Sequence, residues 1–110
     1  MMRAIPLLLL ASCALCFATM CAAADPKAAL AKVEQVCQAC HGLDGNSPIA
    51  DNPKLGGQYP DYLAKALRDY QSGLRKNPIM AGFVDKLSKQ DIENLAAYYA
   101  SQPAVLVTKH

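Results

Sequence analysis

Several things the chain lacks limit what it can be. It has no alternating run of β-branched residues, so nothing in it reads as a strand. There is no internal repeat, low-complexity tract or linker, which excludes solenoids and tandem arrays. A charge excess is also missing: eleven Lys and Arg stand against nine Asp and Glu, too even a balance for a partner recognised by phosphate charge, so no nucleic acid is expected. The apolar run from Ala4 to Phe17 is short of the roughly 20 residues a membrane-spanning helix needs. Histidine is scarce, with only His41 and His110.

Arg3, the apolar run and the small residues of "CAAAD" have the form of a secretory leader over residues 1–24, with cleavage expected after Ala24. The competing readings are an uncleaved anchor and a lipid on Cys21, but Met20 stands where a small residue would precede a lipid-carrying cysteine. Cleavage leaves one domain, residues 25–110, with no membrane span and a periplasmic address. Ten basic residues then face nine acidic ones, for a net charge of +1 with both histidines neutral. A core that small gives only marginal stability by itself, so something else should help hold it together. Cys13, Cys16 and Cys21 depart with the leader, leaving Cys37 and Cys40.

The remaining residues predict an all-α fold with three main helices. Pro26 opens the first, whose Ala29, Val33, Val36 and Cys40 recur at helical spacing. Glycine, proline and asparagine then break the pattern from Gly42 to Gly57, a long loop of the kind that wraps something or carries function. Pro60 opens a second helix with Leu63, Ala66, Leu67 and Tyr70 on its inner face and Gly73 at its end. "LRKNPIMAGFVDKL" reads as a second irregular segment. Ser88 and Asp91 form a capping-box pattern ahead of Ile92, Leu95, Ala96 and Tyr99, and Pro103 ends the last helix.

"CQACH", Cys37 to His41, holds the chemistry. A disulfide redox centre would want a β-α-β surround, and zinc would need four ligands where only His110 could join these three. A plain disulfide across two residues would restrain little chain entropy. Covalent haem suits the spacing best: Cys37 and Cys40 at i and i+3 can form thioethers to the two vinyl groups, while His41 reaches the iron from the same face. One apolar macrocycle would also give short helices a shared surface to bury.

A single axial histidine leaves the sixth position open or filled by a second ligand, and that choice separates electron carriers from catalysts. Once the leader is gone, Met80 is the sole methionine. It is either that ligand or apolar filler of a loop; the histidine competitor, His110, sits in a polar tail. No base, nucleophile or substrate pocket accompanies the iron, so no enzyme activity is expected of the chain alone.

In order, "CQACHG", "NPKLGGQ", "YLAKALRDYQSGLRKNPIM" and "LSKQDIENLAAYYASQ" resemble the class I c-type cytochromes, particularly the bacterial periplasmic c4/c553-type modules, over the whole of residues 25–110. The resemblance implies a monomeric one-electron carrier with a single haem c and His/Met axial ligation. Its partners would be redox proteins, a donor complex and a terminal oxidase or reductase; the alternative is a haem subunit of a periplasmic oxidoreductase complex, and an open-site haem catalyst would require Met80 not to bind. Residue by residue, Pro53 matches the proline whose carbonyl accepts a hydrogen bond from the proximal histidine. Gly56 and Gly57 match small residues that pass close to the ring, and Tyr98 and Tyr99 match the aromatic that packs the last helix on the first. Arg75 and Lys76 are left as solvated surface.

Overall fold

The computed structural model describes residues 23–104 and Ala4; the leader cysteines and His110 lie outside them. Among the described residues there are helices and loops but no strand. The helix starts follow local chemistry, a side-chain cap, a proline in the first turn, or both. Asp25 caps the first by accepting from the Lys27 N–H at 2.9 Å, ahead of Pro26. That helix runs without a break through Pro26–Lys32, Val33–Cys37 and Gln38–His41. The second, Pro60–Ser72, again starts on proline and stops at Gly73, whose φ of 82° is left-handed. In the last, Lys89–Ala100, the Ser88 hydroxyl accepts from the Asp91 N–H while the Asp91 carboxylate accepts from the Ser88 N–H.

A helix the sequence reading leaves out occupies the second irregular segment: Pro78–Val84. Its start has the same chemistry as the others. The Asn77 side chain accepts from the N–H groups of Ile79 and Met80 at 3.0 and 3.1 Å, with Pro78 in the first turn. Its seven residues, Gly82 among them, are too few to show a helical period.

The core lies where the first and middle helices meet the last. Ala29 and Val33 from the first, Leu63 and Ala64 from the middle, and Ile92, Leu95, Ala96 and Tyr99 from the last form one buried cluster. Burying a side chain such as Ile92 contributes about 1.5–3 kcal/mol. All four inward positions expected of the last helix are buried. In the middle helix Ala64 takes the buried place expected of Ala66, which is only partly buried, and Leu67 packs at the cluster's edge. Lys32–Asp91 and Arg68–Glu93 link the first and middle helices to the last across half-exposed surface, worth at most about 1 kcal/mol each.

The first helix departs from its expected face. Val36 and Cys40 are exposed, while Cys37 packs against the core and His41 is buried. The cause is a π-helical turn at Val33–Cys37, in which the Gln38 N–H bonds the Val33 carbonyl five residues back. An extra residue in that turn moves the inward register from Val36 and Cys40 to Cys37 and His41.

Candidate functional site

Cys37, Cys40 and His41 share the C-terminal end of the first helix, which Gly42 terminates with a φ of 81°. Both thiols are free; Cys40 is exposed and Cys37 half-buried. Burial pushes the Cys37 thiol up from its ordinary range, partly offset by a backbone hydrogen bond and the Lys32 ammonium. The His41 side chain is only 9 % exposed. Its Nδ1 lies 2.9 Å from the Pro53 carbonyl oxygen, which can only accept, so Nδ1 carries a proton and, in the neutral ring, Nε2 keeps the lone pair.

The loop between the first two helices sets that carbonyl in place by contacts on both sides of it. The Asn52 amide donates to the Cys40 carbonyl at 2.8 Å, one residue before Pro53, and the Leu55 N–H donates to the Gly45 carbonyl at 2.7 Å, two residues after. Gly45 itself has φ 75°, and a Cβ there would stand 2.6 Å from the Gly56 nitrogen and 2.8 Å from the Tyr99 ring. Gly56 and Gly57 are likewise crowded by chain: a Cβ on Gly56 would meet the Asp44 carbonyl at 2.6 Å, and one on Gly57 would meet Ala104 at 2.4 Å. Close approach of chain crowds both glycines, and at Gly57 a left-handed φ of 73° adds to the requirement.

The last helix reaches the same place from behind. Tyr98 donates its hydroxyl to the Leu43 carbonyl at 2.7 Å, and Tyr99 donates to the Gly42 carbonyl at 3.3 Å. Their rings meet edge to face at 5.2 Å. Sequence reasoning pairs these tyrosines with the first helix by packing and misses their hydroxyls. It also misses Asn52, which reads as one more loop former.

Met80 is half-buried in the first turn of the short helix Pro78–Val84. That helix is tied to the middle one by buried Val84 and by Gln71, whose side-chain amide donates to the carbonyls of Val84 and Leu87 at 2.7 and 2.8 Å. Nothing in the sequence marks Gln71 for this role. Arg75 stacks over the Tyr70 ring at 4.9 Å, a cation–π contact that places the guanidinium on the surface of its own loop.

These residues suit a covalently held apolar ring. Two free thiols sit one helical turn apart beside an imidazole with one nitrogen committed and the other free. Ile49, Tyr59, Tyr62, Ile79 and Phe83 are all more than half exposed, large apolar side chains left outside the protein core. Among the described residues no group of three or more His, Cys, Asp or Glu side chains is placed to hold a metal ion, and His110 lies outside them. Cys37 and Cys40 are not joined in a disulfide.

Comparison with known proteins points the same way. A family model described as cytochrome c oxidase, cbb3-type, subunit III matches residues 22–98. The chain is 48 % identical over 90 residues to cytochrome c4 of Stutzerimonas stutzeri, covering 74 % of this chain and 42 % of that protein. It is 41 % identical to a thiosulfate dehydrogenase electron acceptor of Thiomonas intermedia, covering 72 % of this chain and 34 % of that one. The crystal structure of reduced cytochrome c4 from Pseudomonas stutzeri superposes with a TM-score of 0.69 at 47 % identity, over 74 % of this chain and 47 % of the other. The chain thus spans less than half the length of these relatives.

Proposed function

The chain belongs to the class I c-type cytochromes and carries one covalent haem c with its iron, and from that premise we propose that it is a one-electron carrier of the periplasm with His41 and Met80 as axial ligands. The observation that carries the reading is His41: buried, its Nδ1 proton committed to the Pro53 carbonyl, its Nε2 free, one residue beyond two unpaired thiols. Cys37 and Cys40 would hold the ring by thioethers, and the haem would supply a reversible one-electron change at its iron. The Pro53 carbonyl fixes the imidazole tautomer and raises its basicity as a ligand. Asn52, Tyr98 and Tyr99 hold the loop and turn that orient it.

Met80 is supported as the second ligand by its place in a capped and tethered turn. A thioether is a neutral, soft ligand that favours ferrous over ferric iron, so its presence raises the potential. Six-coordination would leave no position for substrate, which favours a carrier over a catalyst. No helix among the described residues is long and apolar enough to cross a membrane; the periplasmic address rests on the leader read from residues 1–24.

The test is the Met80→Ala variant beside the wild type, each exported with haem-attachment machinery present. Met80→Ala should keep covalent haem, lose the absorption signature of methionine ligation and take up cyanide or imidazole much faster than wild type. Equal uptake by the two would overturn the ligand assignment and favour an open-site haem. A second reading, a haem subunit receiving electrons within a dehydrogenase complex, is favoured by the relative named as the electron acceptor of a thiosulfate dehydrogenase. Size-exclusion chromatography separates the two, because a free carrier elutes as a monomer without partners.

A further inference from the structure

We infer that the π turn at Val33–Cys37 is a register device that keeps Cys37 and His41 on the same face of the first helix as its core residues, with Cys40 at the exposed edge of that face. The inference rests on the reading that Cys37, Cys40 and His41 hold the haem. The inward residues are Ala29, Val33, Cys37 and His41, three successive steps of four. On an α-helix four residues advance about 400°, so three such steps would carry the inward strip round by about 120°. Cys37 and His41 would then turn away from the surface that Ala29 and Val33 bury.

Both ends of this helix are anchored, which leaves the drift to be absorbed between them. At its start the Asp25 N–H donates to Asn94 of the last helix at 2.8 Å. At its end His41 is held by Pro53, and the turn that follows by Tyr98 and Tyr99. Between these points the Val33 N–H is shared by the Ala29 and Leu30 carbonyls, and the Gln38 N–H reaches back to Val33. A turn closed over five residues holds about one residue more than an α turn. Four residues within it therefore fall short of a full revolution instead of overshooting, and the drift reverses. By Gly42 the ordinary pattern is back, its N–H bonding Gln38 at 2.9 Å.

The geometry makes an unusual demand of a deletion. Removing exposed Gln35 shortens the step from Val33 to Cys37 to three residues, which on a plain α-helix advance about 300°. That step also falls short of a full turn, so Cys37 and His41 keep their direction without a π turn. Inserting an alanine after Gln35 adds about 100° and swings both outward.

The experiment exports three chains with haem-attachment machinery: wild type, the Gln35 deletion and the alanine insertion. Covalent haem yield is read by haem stain and intact mass, and ring environment by reduction potential and Soret circular dichroism. The deletion should match wild type in yield, potential and Soret signal, and the insertion should lose yield or show a changed Soret signal and potential. A deletion that fails to accumulate, loses haem or shifts its potential overturns the inference, as does an insertion indistinguishable from wild type. Haem attachment itself is judged separately, on the wild type.

Discussion

Tyr98 and Tyr99 hold the turn after His41 through their hydroxyls, so their ionisation reports on that turn. Burial pushes the Tyr99 phenol well above the ordinary tyrosine range, with smaller contributions from Cys37, Tyr98 and Asp44. Tyr98 is raised too, chiefly by burial and then by Glu34 and Asp44. A phenol whose folded value lies above its unfolded one holds its proton more firmly in the folded state. Its contribution to stability is complete below about pH 10 and is lost as pH rises toward the folded value. Ultraviolet titration should therefore find Tyr98 and Tyr99 ionising late, together with unfolding. Tyr98→Phe, which removes the shorter hydroxyl bond, should cost about 0.5–1.5 kcal/mol by thermal melting, and replacing both tyrosines with phenylalanine should remove the late phase.

At the scale of elements, the short helix carrying Met80 is the piece least able to stand alone. Seven residues are well below the ~12–15 at which isolated helices become even marginal, so its caps and tethers decide its order. Gln71→Leu removes both amide bonds to its C-terminal end, at about 1 kcal/mol each. If Met80 is a ligand, this lowers the cost of opening the Met80 side, and apparent imidazole affinity should rise about 5- to 30-fold with covalent haem intact. The last helix gives a second prediction. Asp91 lies below the usual carboxylate range, first because it accepts from the Ser88 N–H and less so because of Lys32. A depressed carboxyl contributes stability above about pH 4 that is lost as pH falls through its folded value. Asp91→Asn should lower the melting temperature at pH 7 and shrink the gap to wild type at pH 3. Ser88→Ala should cost about 1 kcal/mol.

For the whole molecule, the described core is a cluster of eight buried residues shared by three helices, with several large apolar side chains left outside it. Such a core is marginal without a further surface to bury. The Cys37→Ala, Cys40→Ala double variant should therefore yield a haem-free chain with little helical far-ultraviolet signal and no cooperative melting transition. Persistence of a sharp transition in that variant would show that the protein core suffices without the ring.

The sequence by itself determined what local chemistry can encode. It marked the helix starts at Pro26, Pro60 and Ser88, the stop at Gly73, the inward face of the last helix and the Cys37, Cys40 and His41 cluster, because caps, periodicity and ligand spacing act within a few residues. Only the tertiary structure decided which way the first helix faces: spacing predicts a face only while the hydrogen-bond ladder stays regular, and at Val33 it does not. The helix around Met80 was harder to read, since seven residues with Gly82 among them carry little periodicity, and its tether, the distant Gln71, leaves no local mark. Tyr98 to Leu43 and Tyr99 to Gly42 join residues 55 and 57 positions apart, and no short pattern carries such a pairing. Those contacts exist because folding brings the last helix behind the histidine turn, where the two phenols reach the carbonyls of Leu43 and Gly42.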